Sequence, residues 1–435
     1  MTAVSVAVRG AIDALDGGAT AILFDRTSAS DPAVRERTSR MIGRVRAEGD
    51  AALLAFAREF DGASLDALEV PRTAWRAAFA ALSPDVRRAL ERTAANVRQV
   101  HEAFRPVASE VVTSDGAVIV RRPDPLGRVG VYAPGGRAAY PSSLLMGVIP
   151  ARVASVGEVI VCSPPGVNGL PSAVLMAAAE LAGADRLFAV GGAGAIAAMA
   201  YGTASIPRVD RIVGPGNAYV AEAKAQVSSV TAIDSPAGPS ELLVIADDSA
   251  SPDVVTRELL AQAEHDPLAA VVLVSTSETL IRGVEQRLAE WMRREPRATV
   301  ITEALASRGA LLLAASLEEA VAFANRWAPE HLLIATRRAA SLVPMVRNAG
   351  TVFVGESASV AFGDYMSGAN HVLPTGGLSR AYSGLSTVDF YRWTTFQHMD
   401  RATAARLAGD VGVFADAEGL PAHAASARQW QEGAA

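Results

Sequence analysis

The sequence predicts an α/β molecule of two Rossmann-like parallel-sheet domains, one inserted in the other, with a helical N-terminal segment and a small C-terminal tail. Short, near-continuous Val/Ile/Leu runs alternate with helical segments through the middle of the chain. That is how a parallel sheet reads when helices cover both of its faces. The runs in the first half of that stretch end in Gly or Pro, the punctuation of strand-to-helix turns. A chain of 435 residues, half of them hydrophobic and a fifth charged, suits about two or three globular domains rather than a disordered polymer.

Residues 1–24 read as an N-terminal arm. Residues 31–105 read as helical, opening with Asp31 as a cap ahead of Pro32 in the first turn. MIGRVRAEGDAALLAFAREF then carries apolar residues at helical spacing to about Gly62, and the stretch from Ala74 to Phe104 repeats that period. AVIVRRPDPLGRVGVYAPGG switches to short strands and turns. Between about 132 and 238 the strands are EVIVCSPP, RLFAVGG and DRIVGPG; between 239 and 384 they are LLVIADD, AAVVLVST, ALLLAAS, HLLIATR and TVFVGE. We therefore expect a discontinuous first domain, 25–131 with 239–384, and an inserted second domain, 132–238. Residues 385–435 form a polar-aromatic, mostly helical tail too small for a core of its own.

Composition narrows the partners. The net charge is -6 with no block of like charges, so neither nucleic acid nor a membrane surface is an expected partner. No apolar stretch reaches the roughly 18 residues of a membrane span. MTAVSVAVRGAIDALDGG is interrupted by Arg9 and Asp13 and lacks the layout of a signal peptide. The one cysteine, Cys162, lies in an apolar run and reads as a buried strand residue, which fits a cytoplasmic location. All but one of the 40 basic residues are arginine, so chemistry needing a lysine has only Lys224 to use.

Three glycine-rich loops follow strands. In RLFAVGGAGAIAAMAYG, Gly192, Gly194 and Ala197 have the G-x-G-x-x-A spacing that lets backbone approach a pyrophosphate at a helix N-terminus, though small residues fill such turns for packing as well. GVYAPGGRAAYPSS and IVGPGNAYVAEAK add two more, and several rigid loops at strand ends suggest one crevice. The ionisable candidates lie later. Gln262 and His265 share a helix face and both can ligate a metal; Glu330 and His331 are adjacent, and suit proton transfer only if the backbone turns there. Asp364 and His371 occupy a loop rich in Gly, Ser and Asn, and Glu418 and His423 lie near the end of the chain. Each group alone also fits a surface or capping role. His101 and His398 belong to no cluster.

The runs VGVYAPGG, PSSLLM, VGGAGAIAAMAYGT, IVGPGNAYVAEAK, AGPSELLVIAD, LLAQAEHDP, APEHLLI, DYMSGANHVLPTGG and AEGLPAH occur in the order and at the spacing of the histidinol dehydrogenase family, which the chain resembles over roughly 25–430. The resemblance implies a homodimeric zinc enzyme, one zinc per subunit, that oxidises L-histidinol to L-histidine with two NAD at the end of histidine biosynthesis. It assigns Gln262, His265, Asp364 and, across the dimer, His423 to zinc. Glu330 and His331 match the acid/base pair. Ser240, His371 and Glu418 match substrate contacts, which Gln262, His265, His331, Asp364 and His423 join. Tyr132, Gly194 and Asn217 match positions at NAD, on the inserted domain, and the tail becomes a dimerisation element.

Some positions depart from the family. Gly194 stands where Gln is usual, Gly147 where Asn is frequent and Ser235 where Met is common; none removes a proposed ligand or proton-transfer group. Competing readings are a zinc/NAD dehydrogenase of another small amino or sulfonated alcohol, a metal-dependent hydrolase using Glu330, and a non-catalytic scaffold. Glu418 argues against a sulfonate by charge, the glycine-rich loops lack a purpose in a hydrolase, and the intact set of ionisable groups disfavours a scaffold.

Overall fold

The structure is a computed structural model that describes residues 5–26, 32–135 and 139–431. The N-terminal arm carries a strand, β1 (Val8–Ala11). Helices Pro32–Glu48 and Asp50–Phe60 follow, separated at Gly49 with φ 59°, a left-handed turn that glycine takes without strain. The long helical stretch expected beyond them is two helices, Arg72–Ala80 and Pro84–Ala103. The first ends at an Ala81 cap, and Ser83 starts the second, its hydroxyl accepting from the Val86 amide at 3.4 Å. The expected Asp31 cap lies outside the described residues.

The chain then forms β2 (Ser109–Val112), β3 (Val118–Pro125), β4 (Arg128–Tyr132), β5 (Glu158–Ser163), β6 (Arg186–Ala189), β7 (Arg211–Val213) and β8 (Ala232–Ile233). After these come β9 (Glu241–Ala246), β10 (Ala270–Ser275), β11 (Ala310–Leu313), β12 (His331–Ala335) and β13 (Thr351–Val354). Two sheets are wholly parallel, in the orders β6-β5-β4-β7-β8 and β1-β11-β10-β9-β12-β13. The arm thus supplies an edge strand of the larger sheet.

The apolar runs hide a two-residue alternation. Leu242 and Val244 of β9 join one core with helix Pro252–Ala263, whereas Leu243 and Ile245 join the core on the opposite face with helix Leu317–Trp327. In the smaller sheet Val159 and Val161 face helices Pro141–Val153 and Ala173–Ala182, while Ile160 and Cys162 join the core of helix Gly192–Tyr201, on which the N-terminal helices pack. Cys162 is fully buried in β5, as expected, and burial pushes its thiol pKa up.

The tail is less helical than expected. FYRWTTFQH forms β14 (Tyr391–His398), which lies antiparallel on β3, and with β2 makes a third, three-stranded sheet. Alternating polar and aromatic residues suit a ribbon with one face on the protein and one in water. Helices Arg401–Ala417 and Pro421–Arg428 complete the chain. No helix among the described residues is long and apolar enough to cross a membrane.

Candidate active site

A parallel crossover helix returns the chain to the amino end of the sheet. Helix Pro252–Ala263 does this between β9 and β10, so Gln262 and His265 arrive at the edge where β9 and β12 begin. The return is marked by the Ala270 amide, which donates to the Ser240 carbonyl at 3.0 Å. Ser240 precedes β9, and Glu330 and His331 open β12 alongside it. The helix stops at Ala263, so His265 is past its end rather than on its face as expected, although its amide still reaches the Gln262 carbonyl at 3.3 Å. Gln262 is only 2% exposed, yet its side chain has no hydrogen-bond partner among the described residues.

Glu330 and His331 do converge. Ala328 takes a left-handed conformation, φ 52°, at the end of the preceding helix, and Pro329 follows, which turns the backbone before β12. The Glu330 carboxylate lies 3.5 Å from His331 Nδ1, and both are buried. Both also meet one residue, Glu241. The Glu241 amide donates to Glu330 Oε2 at 2.7 Å, and the Glu330 amide donates back to Glu241 Oε2 at 3.3 Å. His331 Nδ1 donates to the Glu241 carbonyl at 3.0 Å. Glu241 Oε1 accepts from the Gly376 amide at 2.8 Å and pairs with the Arg26 guanidinium at 2.6 Å. Burial drives the Glu241 pKa upward, and Arg26 opposes this.

Asp364 lies in the short helix Val360–Tyr365 rather than in the loop where the sequence suggested it. Its Oδ1 is 3.8 Å from His331 Nε2 and 4.0 Å from His371 Nδ1. His371 Nδ1 donates to the Asp364 carbonyl at 2.8 Å, so Nε2 carries the lone pair that accepts from the Ser143 hydroxyl at 3.2 Å. Burial lowers the His371 pKa, and the ring is neutral. For His331 burial also opposes the charge, but Glu330, Asp364 and the Glu241 carbonyl outweigh it and push the pKa up to about 9. Ser143 opens the helix that follows β4, so the carboxyl edge of the smaller sheet meets the amino edge of the larger one here.

The glycine-rich loops gather at that carboxyl edge. Strands leave β4 toward β5 on one side and β7 on the other, so β4 and β7 flank a topological switch point, the usual ligand crevice of an open parallel sheet. Tyr132 ends β4, and its buried hydroxyl accepts from the Gly192 amide at 3.1 Å. Burial raises that phenol to about 12. Asn217 is exposed and caps helix Ala218–Val227, Oδ1 accepting from the Tyr219 and Val220 amides at 3.1 and 3.2 Å. Gly194 is buried, and a Cβ there would meet Phe56 at 3.0 Å. Glu418 and His423 sit exposed on the tail helices, without side-chain hydrogen bonds among the described residues, apart from the Glu330–Asp364 cluster.

A family model described as histidinol dehydrogenase matches residues 24–430. The chain belongs to the histidinol dehydrogenase family. It is 48% identical over 422 residues to the histidinol dehydrogenase of Natronomonas pharaonis, covering 96% of this chain and 98% of that one. The Methanosarcina mazei histidinol dehydrogenase is 43% identical over 396 residues, 91% of each chain. The crystal structure of histidinol dehydrogenase from Elizabethkingia anophelis superposes with a TM-score of 0.93 at 31% identity, over 99% of this chain and 98% of that one. As a histidinol dehydrogenase the chain is an oxidoreductase of histidine biosynthesis.

Sequence reasoning passed over Ser143, Glu241 and Arg26. Ser143 and Glu241 stood inside quoted runs. The available signal for Glu241 was a carboxylate opening a strand otherwise wholly apolar, which only a buried partner can stabilise.

Proposed function

We propose that the chain oxidises L-histidinol to L-histidine through the aldehyde, using NAD and one zinc per subunit held by Gln262, His265, Asp364 and His423 of the partner subunit. The donor set supports this reading. It offers an amide oxygen, imidazoles and a carboxylate, a mixture zinc accepts, and Gln262 is a buried amide with no other partner. Among the described residues no three His, Cys, Asp or Glu are grouped to hold a metal. Zinc would anchor the imidazole and amine of the substrate, and NAD would accept the hydride.

The rest falls to the chain. His331 Nδ1 is committed to the Glu241 carbonyl, so in the neutral ring Nε2 is the atom that takes the hydroxyl proton, and with the pKa raised to about 9 that form grows as the pH rises. Glu330 Oε2 is engaged by the Glu241 amide, and Oε1 has no partner among the described residues and is left to take a proton from the water that hydrates the aldehyde. Ser240, His371 and Glu418 position the substrate; the Asp364 carbonyl fixes the tautomer of His371, and the Ser143 hydroxyl donates to its Nε2. Tyr132, Asn217 and the Gly194 segment line the NAD side. The exposed apolar face of the tail, with Val413 and Phe414 at 65% and 69% exposure, supports a homodimer, and we assign the activity to the cytoplasm. The observation that carries the reading is the cluster of buried Glu330 and His331 with partly buried Asp364 and His371.

Purified protein given L-histidinol and NAD is expected to release two NADH per substrate, and to stop after chelation until zinc is restored. One NADH per substrate, or turnover indifferent to chelation, would sink the proposal; restoring manganese in parallel identifies the metal that suits the site.

A further inference from the structure

Lys224 is the one lysine in a chain whose other basic residues are all arginine, and its ammonium is buried. It reaches back from helix Ala218–Val227 and donates from Nζ to the Gly214 carbonyl at 3.1 Å. On the other side of the same residue, the Gly214 amide donates to Asp234 Oδ2 at 2.7 Å. Lys224 and Asp234 are themselves an ion pair, each side chain almost wholly buried. A buried ion pair therefore grips both polar groups of one glycine.

That glycine begins the loop Gly214–Pro215–Gly216–Asn217 at the switch point. Its φ is +111°, and a Cβ would run into the Tyr132 carbonyl oxygen, so the end of β7 presses backbone to backbone on the end of β4. Tyr132 in turn holds the Gly192 amide. The far end of the loop is fixed by the Asn217 cap. Lys224, Asp234 and Tyr132 thus set the relative position of two glycine-rich loops. A shallow cleft lined by Gly216, Val220, Ala221, Lys224, Pro236 and Ala237 lies alongside. A compact ammonium is suited to this enclosed place as a planar, longer guanidinium is not.

We infer that Lys224 and Asp234 are positioning residues for the dinucleotide: they pre-set the Gly214–Asn217 backbone so that the cofactor binds without ordering the loop first. Keeping a buried ion pair here needs a reason, since two well-packed apolar residues would serve stability as well. Preorganisation of a ligand loop supplies one. The inference rests on the NAD-linked reading above.

The test measures NAD and NADH dissociation constants by nucleotide fluorescence and calorimetry, with zinc content and both Michaelis constants alongside. Lys224→Met is expected to weaken NAD binding about tenfold, the loss of roughly one buried hydrogen bond, while zinc content and the KM for histidinol hold within about twofold of wild type. Because Lys224→Met strands a buried carboxylate, Lys224→Met/Asp234→Leu is made too; it removes the pair together, keeps the fold, and is expected to show the same weakening. A folded variant of either kind that binds NAD as wild type does overturns the inference. Wild-type protein that fails to bind NAD overturns the cofactor reading instead, so the two failures are distinguishable.

Discussion

Glu241 touches both Glu330 and His331, and every polar group it has is engaged. Its amide holds the Glu330 carboxylate, its carbonyl holds the His331 ring, and its own carboxylate is shared by the Glu330 and Gly376 amides and by Arg26. Arg26 comes from the end of the N-terminal arm, where it also donates to the Trp327 carbonyl and stacks 3.6 Å over the Trp327 ring. Its pKa is lowered, mainly by burial. Glu241→Gln leaves the backbone contacts in place but strands a buried guanidinium without a counter-charge. We expect a loss of about 3 kcal/mol in urea unfolding, the scale for breaking one partner out of a buried pair. Arg26→Met combined with Glu241→Gln recovers most of it; a single variant as stable as wild type would show the pair to be idle. The sequence marks Glu241 as a carboxylate opening an apolar strand but does not name its partner. Arg26 sits in a polar stretch and Glu241 within an apolar one, and their partnership spans 215 positions, a separation only the folded chain closes. The motif residues were legible, because chemistry needs their types; their supports were not, because many types can support.

At the scale of elements the parallel strands read clearly and the exceptions were local. β1 and β8 are too short to show a period, and β14 replaces part of the expected helical tail because its alternating residues are stabilised by a partner strand, β3, far away in sequence. Gly147 has a plain reason in the fold, since a Cβ there would lie 2.6 Å from Val131 where helix Pro141–Val153 crosses β4. Another such junction is the end of helix Pro84–Ala103. The Thr387 hydroxyl donates its one proton to the His101 carbonyl at 2.7 Å, so His101 Nδ1 must donate to that hydroxyl at 3.1 Å. Nε2 is then a bare, buried lone pair. Burial lowers the His101 pKa from its ordinary 6.5 to about 4. The folded state thus binds fewer protons than the unfolded chain between these values, so this contribution to stability is complete above pH 6.5 and is lost as pH falls toward 4. The unfolding temperature of the wild type is expected to drop more steeply over that window than that of His101→Gln. Parallel slopes for the two proteins would remove His101 from the account.

The whole molecule raises the question of which subunit completes each site. Glu418 and His423 end the chain on helices whose outer face exposes Val411, Val413, Phe414, Leu420 and Trp430. An apolar surface of that kind asks to be covered, and the proposed two-fold pairing would cover it with its own copy. The resulting dimer would carry two sites, each drawing Gln262, His265 and Asp364 from one subunit and His423 from the other. Mixing two defective proteins separates this from a self-contained site. His331→Asn alone is expected to bind full zinc and turn over about 10² to 10⁴ times more slowly, and His423→Ala alone to lose zinc and activity. In a heterodimer of the two with shared sites, one site collects both lesions and the other has none. Free exchange makes half the dimers mixed, each with one intact site of two, so about a quarter of wild-type activity should return. With sites confined to single subunits every site in the mixture keeps a lesion, and nothing returns. Heterodimer isolated through two affinity tags after co-expression should recover about half, and its activity against each parent decides whether the tail is a catalytic element or only a dimerising one.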